Sequence, residues 1–117
     1  MIGADVMLLG CSQYPEPPAA ADASLARAAL AAALDAWVAA KTPGELQSAT
    51  PAITVADEDW QRGKSLAGYE LLADEQLVGS AIRWPVRLRL GLAGREQEVD
   101  VLYIVETNPA IHISRAD

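Results

Sequence analysis

Phenylalanine is missing from this 117-residue chain, and histidine and cysteine occur once each. Three Trp and three Tyr are its aromatic residues, so Ala, Leu and Val must do most of the filling of any core. The single cysteine, Cys11, excludes an internal disulfide. The single histidine, His112, leaves zinc without a second imidazole at a recognisable spacing, and it is distant in sequence from Cys11, so the thiol has no evident base. No apolar run approaches the roughly 20 residues of a membrane-spanning helix. Basic residues are scarce: 9 Lys and Arg stand against 16 Asp and Glu, a net charge of -7. A phosphate backbone or an anionic membrane surface is repelled by such a chain, which argues against nucleic acid as a partner. Gly-rich phosphate loops, nucleophile elbows and paired-cysteine motifs are absent, and no cofactor or metal is implied.

What is present is patterning. Hydrophobic residues make up 51% and charged residues 21%, a globular composition, and the length suits one domain with one core. From Ile82 to Leu92 every even position is apolar, while Arg83, Arg87 and Arg89 occupy odd ones. After Ala93-Gly94-Arg95-Glu96 the apolar set becomes Val99, Val101, Tyr103 and Val105. Side chains alternate faces along a strand, so these runs predict an antiparallel hairpin with one dry face. A Gly94-Arg95 loop sets Arg89 opposite Asp100; a loop at Ala93-Gly94 moves the partners by two residues and keeps the faces matched. Either way the arginines oppose Glu98 and Asp100, in cross-strand pairs worth roughly 0.2–1 kcal/mol each.

Asp22 or Ser24 can cap a helix running to about Lys41, with Leu25, Ala29, Leu30, Leu34, Trp37, Val38 and Lys41 on one stripe. Thr42-Pro43-Gly44 ends it, and Glu45 to Thr50 admits a short helical turn. Strands are expected at 52–56 and 66–73, the second with Ala67, Tyr69 and Leu71 on one face, and at Ile111–Arg115. Residues 57–63 read as a turn or one helical turn and 74–79 as a connection. The resulting fold class is α+β: one long N-terminal helix packed on a curved antiparallel sheet of four to five strands.

The Ala/Leu/Trp helix at 24–41, then Trp60, Gly63, Leu66 and Tyr69, then strands ending Val101-Leu102-Tyr103-Ile104-Val105, resemble the cystatin-like and nuclear-transport-factor-2-like group of folds. Closer still, Asp57-Glu58-Asp59-Trp60, Gly63, Tyr69 and Tyr103-Ile104-Val105 to Arg115 look like small bacterial lipoprotein domains, which bring no activity with them. Enzymes of the nuclear-transport-factor-2-like group place an acidic residue, often with Tyr or His, in a conical pocket. The resemblance therefore nominates Asp100, Tyr69, Tyr103 and His112 for general acid/base chemistry, the Asp as base and a Tyr as oxyanion donor. Strand parity opposes this, because Asp100 falls on the arginine face and Tyr103 on the apolar one. Asp57, Glu58 and Asp59 offer calcium-type oxygens without the twelve-residue EF-hand loop, and capping of a short turn accounts for them. Trp60 is a candidate partner-binding anchor, with packing against the helix as the simpler role.

Residues 1–18 stand apart from the single α+β domain at 19–117. Leu8-Leu9-Gly10-Cys11 resembles the lipobox of bacterial lipoproteins, which implies lipidation at Cys11, and Ser12 to Pro18 reads as an extended tether. Asp5 and the lack of a basic start depart from a signal segment, so a cell-envelope lipoprotein and a cytoplasmic protein with Cys11 as apolar filler both stand. The resulting expectation is a non-enzymatic binding or interaction domain of the bacterial envelope, tethered through Cys11, whose partner is a protein or a small apolar ligand. The alternatives are a small cytosolic nuclear-transport-factor-2-like enzyme, and a homodimer formed through an exposed sheet edge at 110–115.

Overall fold

The computed structural model describes residues 22–116, apart from the side chain of Leu92. Cys11 and its lipobox lie outside the described residues. The first described element is helix α1, Ala23–Val38, followed by α2, Pro43–Gln47. Then come β1, Ile53–Ala56; α3, Glu58–Gln61; β2, Ser65–Leu71; β3, Gln76–Val78; β4, Ala81–Leu92; β5, Arg95–Glu106; and β6, Ile111–Arg115. The strands form one six-stranded sheet in the order β1-β6-β5-β4-β2, with β3 also on β4. The architecture is a mixed α+β fold in which one main helix packs on a largely antiparallel sheet.

Asp22 caps α1 by accepting from the Leu25 amide, and the Thr107 hydroxyl accepts from Asp22's own amide. At the other end Lys41 N–H donates to Ala36 and Ala40 N–H to Trp37, with Ala40 at φ 65°. That is a Schellman termination with alanine in the left-handed position. The buried stripe of α1 is Ala26, Ala29, Leu30, Ala33, Leu34, Ala36 and Trp37, while Leu25 and Val38 sit exposed at its margins. The stripe is thus rotated from the expected one towards the alanines, whose small side chains let the helix approach the sheet closely. Thr42 and Glu45 cap α2 reciprocally in a capping box, with Pro43 in its first turn.

The hairpin adopts the Ala93-Gly94 turn. Leu92 pairs with Arg95, Leu88 with Val99, Val86 with Val101 and Trp84 with Tyr103. Both turn residues have positive φ, 54° and 80°, the signature of a type I′ connection that matches strand twist. Arg87 lies opposite Asp100 and Arg89 opposite Glu98 on the outer face. The inner face carries Ile82, Trp84, Val86, Leu88 and Leu90 from β4 and Val101, Tyr103 and Val105 from β5, all buried.

Four expectations are corrected. The sheet has six strands, because Gln76–Val78 within the expected connection pairs with β4. It is not wholly antiparallel, because β1 runs parallel to β6, Ile53 beside Ile111 and Val55 beside Ile113. Residues 110–115 are therefore not an edge, because β6 lies between β1 and β5 with a strand paired on each side. A bulge between Leu66 and Gly68 resets the parity of β2, so Leu66, Tyr69 and Leu71 share the inner face and Ala67 is exposed. Gly68 lies under the Arg89 guanidinium, where a β-carbon would collide with it.

Alanine in a left-handed conformation costs about 1 kcal/mol or more. Ala93→Asn, which creates the preferred Asn-Gly turn, is expected to raise stability by about 0.5–1 kcal/mol in urea denaturation. An unchanged midpoint would show that the turn is not left-handed in solution.

Candidate functional site

The segment between β1 and β2 gathers the polar and aromatic groups. Asp57 follows β1 directly, and the residue is 1% exposed. As the N-cap of α3 its Oδ1 accepts from the amides of Asp59 and Trp60, at 3.0 and 3.4 Å. Oδ2 accepts from the Tyr103 hydroxyl at 2.5 Å, and Arg115 Nη1 donates to Oδ1 at 3.1 Å. The same Nη1 reaches Asp59 Oδ2 at 2.7 Å, and Lys64 Nζ lies 2.9 Å from Asp59 Oδ1. A buried carboxyl is tolerated only when fully hydrogen-bonded, and here β5, β6 and α3 all supply donors. For Asp59, burial opposes ionisation, but hydrogen bonds from Lys64 and Arg115 and their charges outweigh it and hold the carboxyl below its ordinary range.

Capping by Asp57 fixes where Trp60 points. Trp60 stacks on Trp37 with ring centroids 5.2 Å apart and planes 5° from parallel. Each indole N–H reaches across to the other helix's trailing loop: Trp37 donates to the Lys64 carbonyl and Trp60 to the Lys41 carbonyl, both at 2.8 Å. Beside this clasp runs an open groove of about 600 Å³, lined by Trp37, Val38, Lys41, Gln47, Val55, Trp60, Gln61 and Lys64 among others.

The nominated catalytic residues do not converge. Asp100 is exposed on the outer face, where Arg87 binds it through Nε at 2.8 Å and Nη2 at 3.3 Å. The hydrogen bond from Arg87, opposed by some desolvation and aided by the guanidinium charge, lowers the Asp100 pKa. Tyr69 donates to Asp35 Oδ1 at 2.8 Å, tying β2 to α1. Burial, then the Asp35 hydrogen bond and charge, push its phenol up to about 12, which makes it a poor proton donor. Tyr103 is buried on Asp57, and His112 is exposed on the outer face of β6. Trp60 is 6% exposed and packed, so it is a wall of the groove rather than a displayed anchor. Of the three consecutive carboxylates, Asp57 and Asp59 share the Arg115 guanidinium, Asp59 also meeting Lys64, whereas Glu58 stands apart, 3.6 Å from Arg62 at the surface. Among the described residues no group of three or more His, Cys, Asp and Glu is placed to hold a metal ion.

Sequence reasoning recognised Asp57 as a cap and missed its partners. Tyr103 and Arg115 lie far along the chain, and only the parallel β1–β6 pairing brings Arg115 alongside. No family model, no curated protein and no solved structure matches this chain.

Tyr103→Phe leaves one oxygen of Asp57 without its hydroxyl donor. We expect a loss of about 1–3 kcal/mol in urea denaturation, against near-neutrality if the bond were absent in solution. Because Asp59's folded pKa lies below its unfolded value, its stabilisation is complete above the ordinary carboxyl range and is lost as pH falls through that range to the lowered folded value. Asp59→Asn should therefore be less stable than the parent near neutrality, and the two stability curves should converge in acid. Parallel curves from neutral pH to below about pH 3 would remove Asp59 from the account.

Proposed function

We propose that the chain is a non-enzymatic binding domain of the bacterial cell envelope, and that it takes a small apolar ligand in the groove beside Trp37 and Trp60. The observation that carries this reading is the groove itself: about 600 Å³ of concave space with an aromatic and aliphatic wall. Both indole N–H groups are already bonded to carbonyls, so the wall offers hydrophobic contact at no cost in unsatisfied donors. Reaction chemistry finds less support. Asp57 has both oxygens occupied, Tyr69 is a weak acid, and Asp100 and His112 lie on the far side of the sheet.

The envelope assignment rests on the lipobox-like Leu8-Leu9-Gly10-Cys11 and the proline-rich stretch after it. Grouping with the cystatin-like and nuclear-transport-factor-2-like folds is part of the same proposal. It is supported by the long helix against the inner face of the sheet and by the β4–β5 hairpin.

In nitrogen–proton spectra the indole signals of Trp37 and Trp60 report on the groove, and that of Trp84, which is not among its lining residues, serves as a reference. Titration with naphthalene derivatives is expected to shift the first two and spare the third, saturably. Val38→Glu sets a carboxylate on an exposed lining position and should weaken that binding with little effect on stability. Absence of any saturable shift would refute the groove as a ligand site.

A further inference from the structure

We infer that the ligand of this groove is a planar organic acid whose ring lies against Trp60 and Val55 and whose carboxylate meets Lys41; this rests on the groove reading above. The chain carries 16 Asp and Glu and a net charge of -7, yet no described residue lining this groove is acidic, and two are lysines. The lysines are not equivalent. Lys64 Nζ lies 2.9 Å from Asp59 and is answered there. Lys41 is exposed and makes no ion pair within 4 Å among the described residues. Glu45, which senses the Lys41 charge, commits its Oε2 to the amide and hydroxyl of Thr42, at 2.8 and 3.2 Å.

The neutral donors in the groove do not substitute for this charge. Both indole N–H groups are consumed, and the Ser65 hydroxyl donates to the Gly91 carbonyl. Gln47 and Gln61 remain, but amides serve alcohols and acids alike. The feature that separates one apolar ligand from another is therefore the positive charge of Lys41, an exposed lining residue, in a protein whose overall field otherwise repels anions. A cationic ligand of the same shape meets like charge there.

The test uses the full chain and three probes on one ring: 2-naphthoate, 2-naphthalenemethanol and 2-naphthylmethylamine. Binding is followed through the Trp37 and Trp60 indole signals at neutral pH and low salt. An exposed ion pair predicts that naphthoate binds about three- to fivefold tighter than the alcohol, with the amine weakest. The preference should vanish in Lys41→Gln and fade at about 0.5 M salt. Equal affinities for acid and alcohol, or a preference that survives Lys41→Gln, would overturn the acid assignment and leave the groove standing. If none of the three moves the indole signals, the groove reading falls and this inference falls with it.

Discussion

Asp57 puts a carboxyl group out of reach of water, and the protein must supply every donor around it. It does so from three directions: the amides opening α3, the Tyr103 hydroxyl from β5 and the Arg115 guanidinium from β6. The consequence runs outward from the core. A capped α3 points Trp60 at Trp37, the two rings stack, and their N–H groups bind the loops that follow α1 and α3. The groove wall is the outer surface of that clasp. A single polar contact set inside the fold thus fixes the shape of a surface feature some distance from it.

The two faces of the sheet divide the chemistry. The inner face is apolar and covered by α1. The outer face carries Arg87, bound across the hairpin by Asp100, and Arg89, whose register partner is Glu98. Exposed pairs of this kind add little stability, and their effect is to keep a basic row from acting as a basic patch in an acidic protein. Asp100 is thereby spent on register, and Tyr69 is spent on joining β2 to α1. Asp57 and Tyr103, side chains of types that catalyse proton transfer, are likewise committed to architecture.

Where the pattern was local, the sequence was readable. Alternation over 82–105 yielded the hairpin and its dry face, and Asp22, one of two candidate caps, opens the first helix; its end comes at Val38, short of the expected Lys41, because Ala40 turns left-handed, and Pro43-Gly44 begin the next helix instead. Two things were hidden. A bulge at Ala67 shifts the parity of β2, and alternation alone cannot announce an inserted residue; Gly68 beside it is the one local mark. The parallel pairing of β1 with β6 depends on where the chain travels in between, and four residues of β1 carry no record of that route. The site was legible only in fragments for the same reason. Asp57 as a cap could be read from its neighbours, whereas Tyr103 and Arg115 reach it only through the sheet, and the Trp37–Trp60 stack only through the two helices.

That parallel pairing also orders events during synthesis. Ile53 can find its strand partner only after Ile111 has been made, and Asp57 can meet its guanidinium only once Arg115 has followed. Until β6 slots between β5 and β1, the β4–β5 hairpin can form on its own while β1 has no strand beside it. The groove is thus among the last parts of the molecule to acquire its shape, and a chain released before β6 has docked would present an unpaired β5 edge to its neighbours.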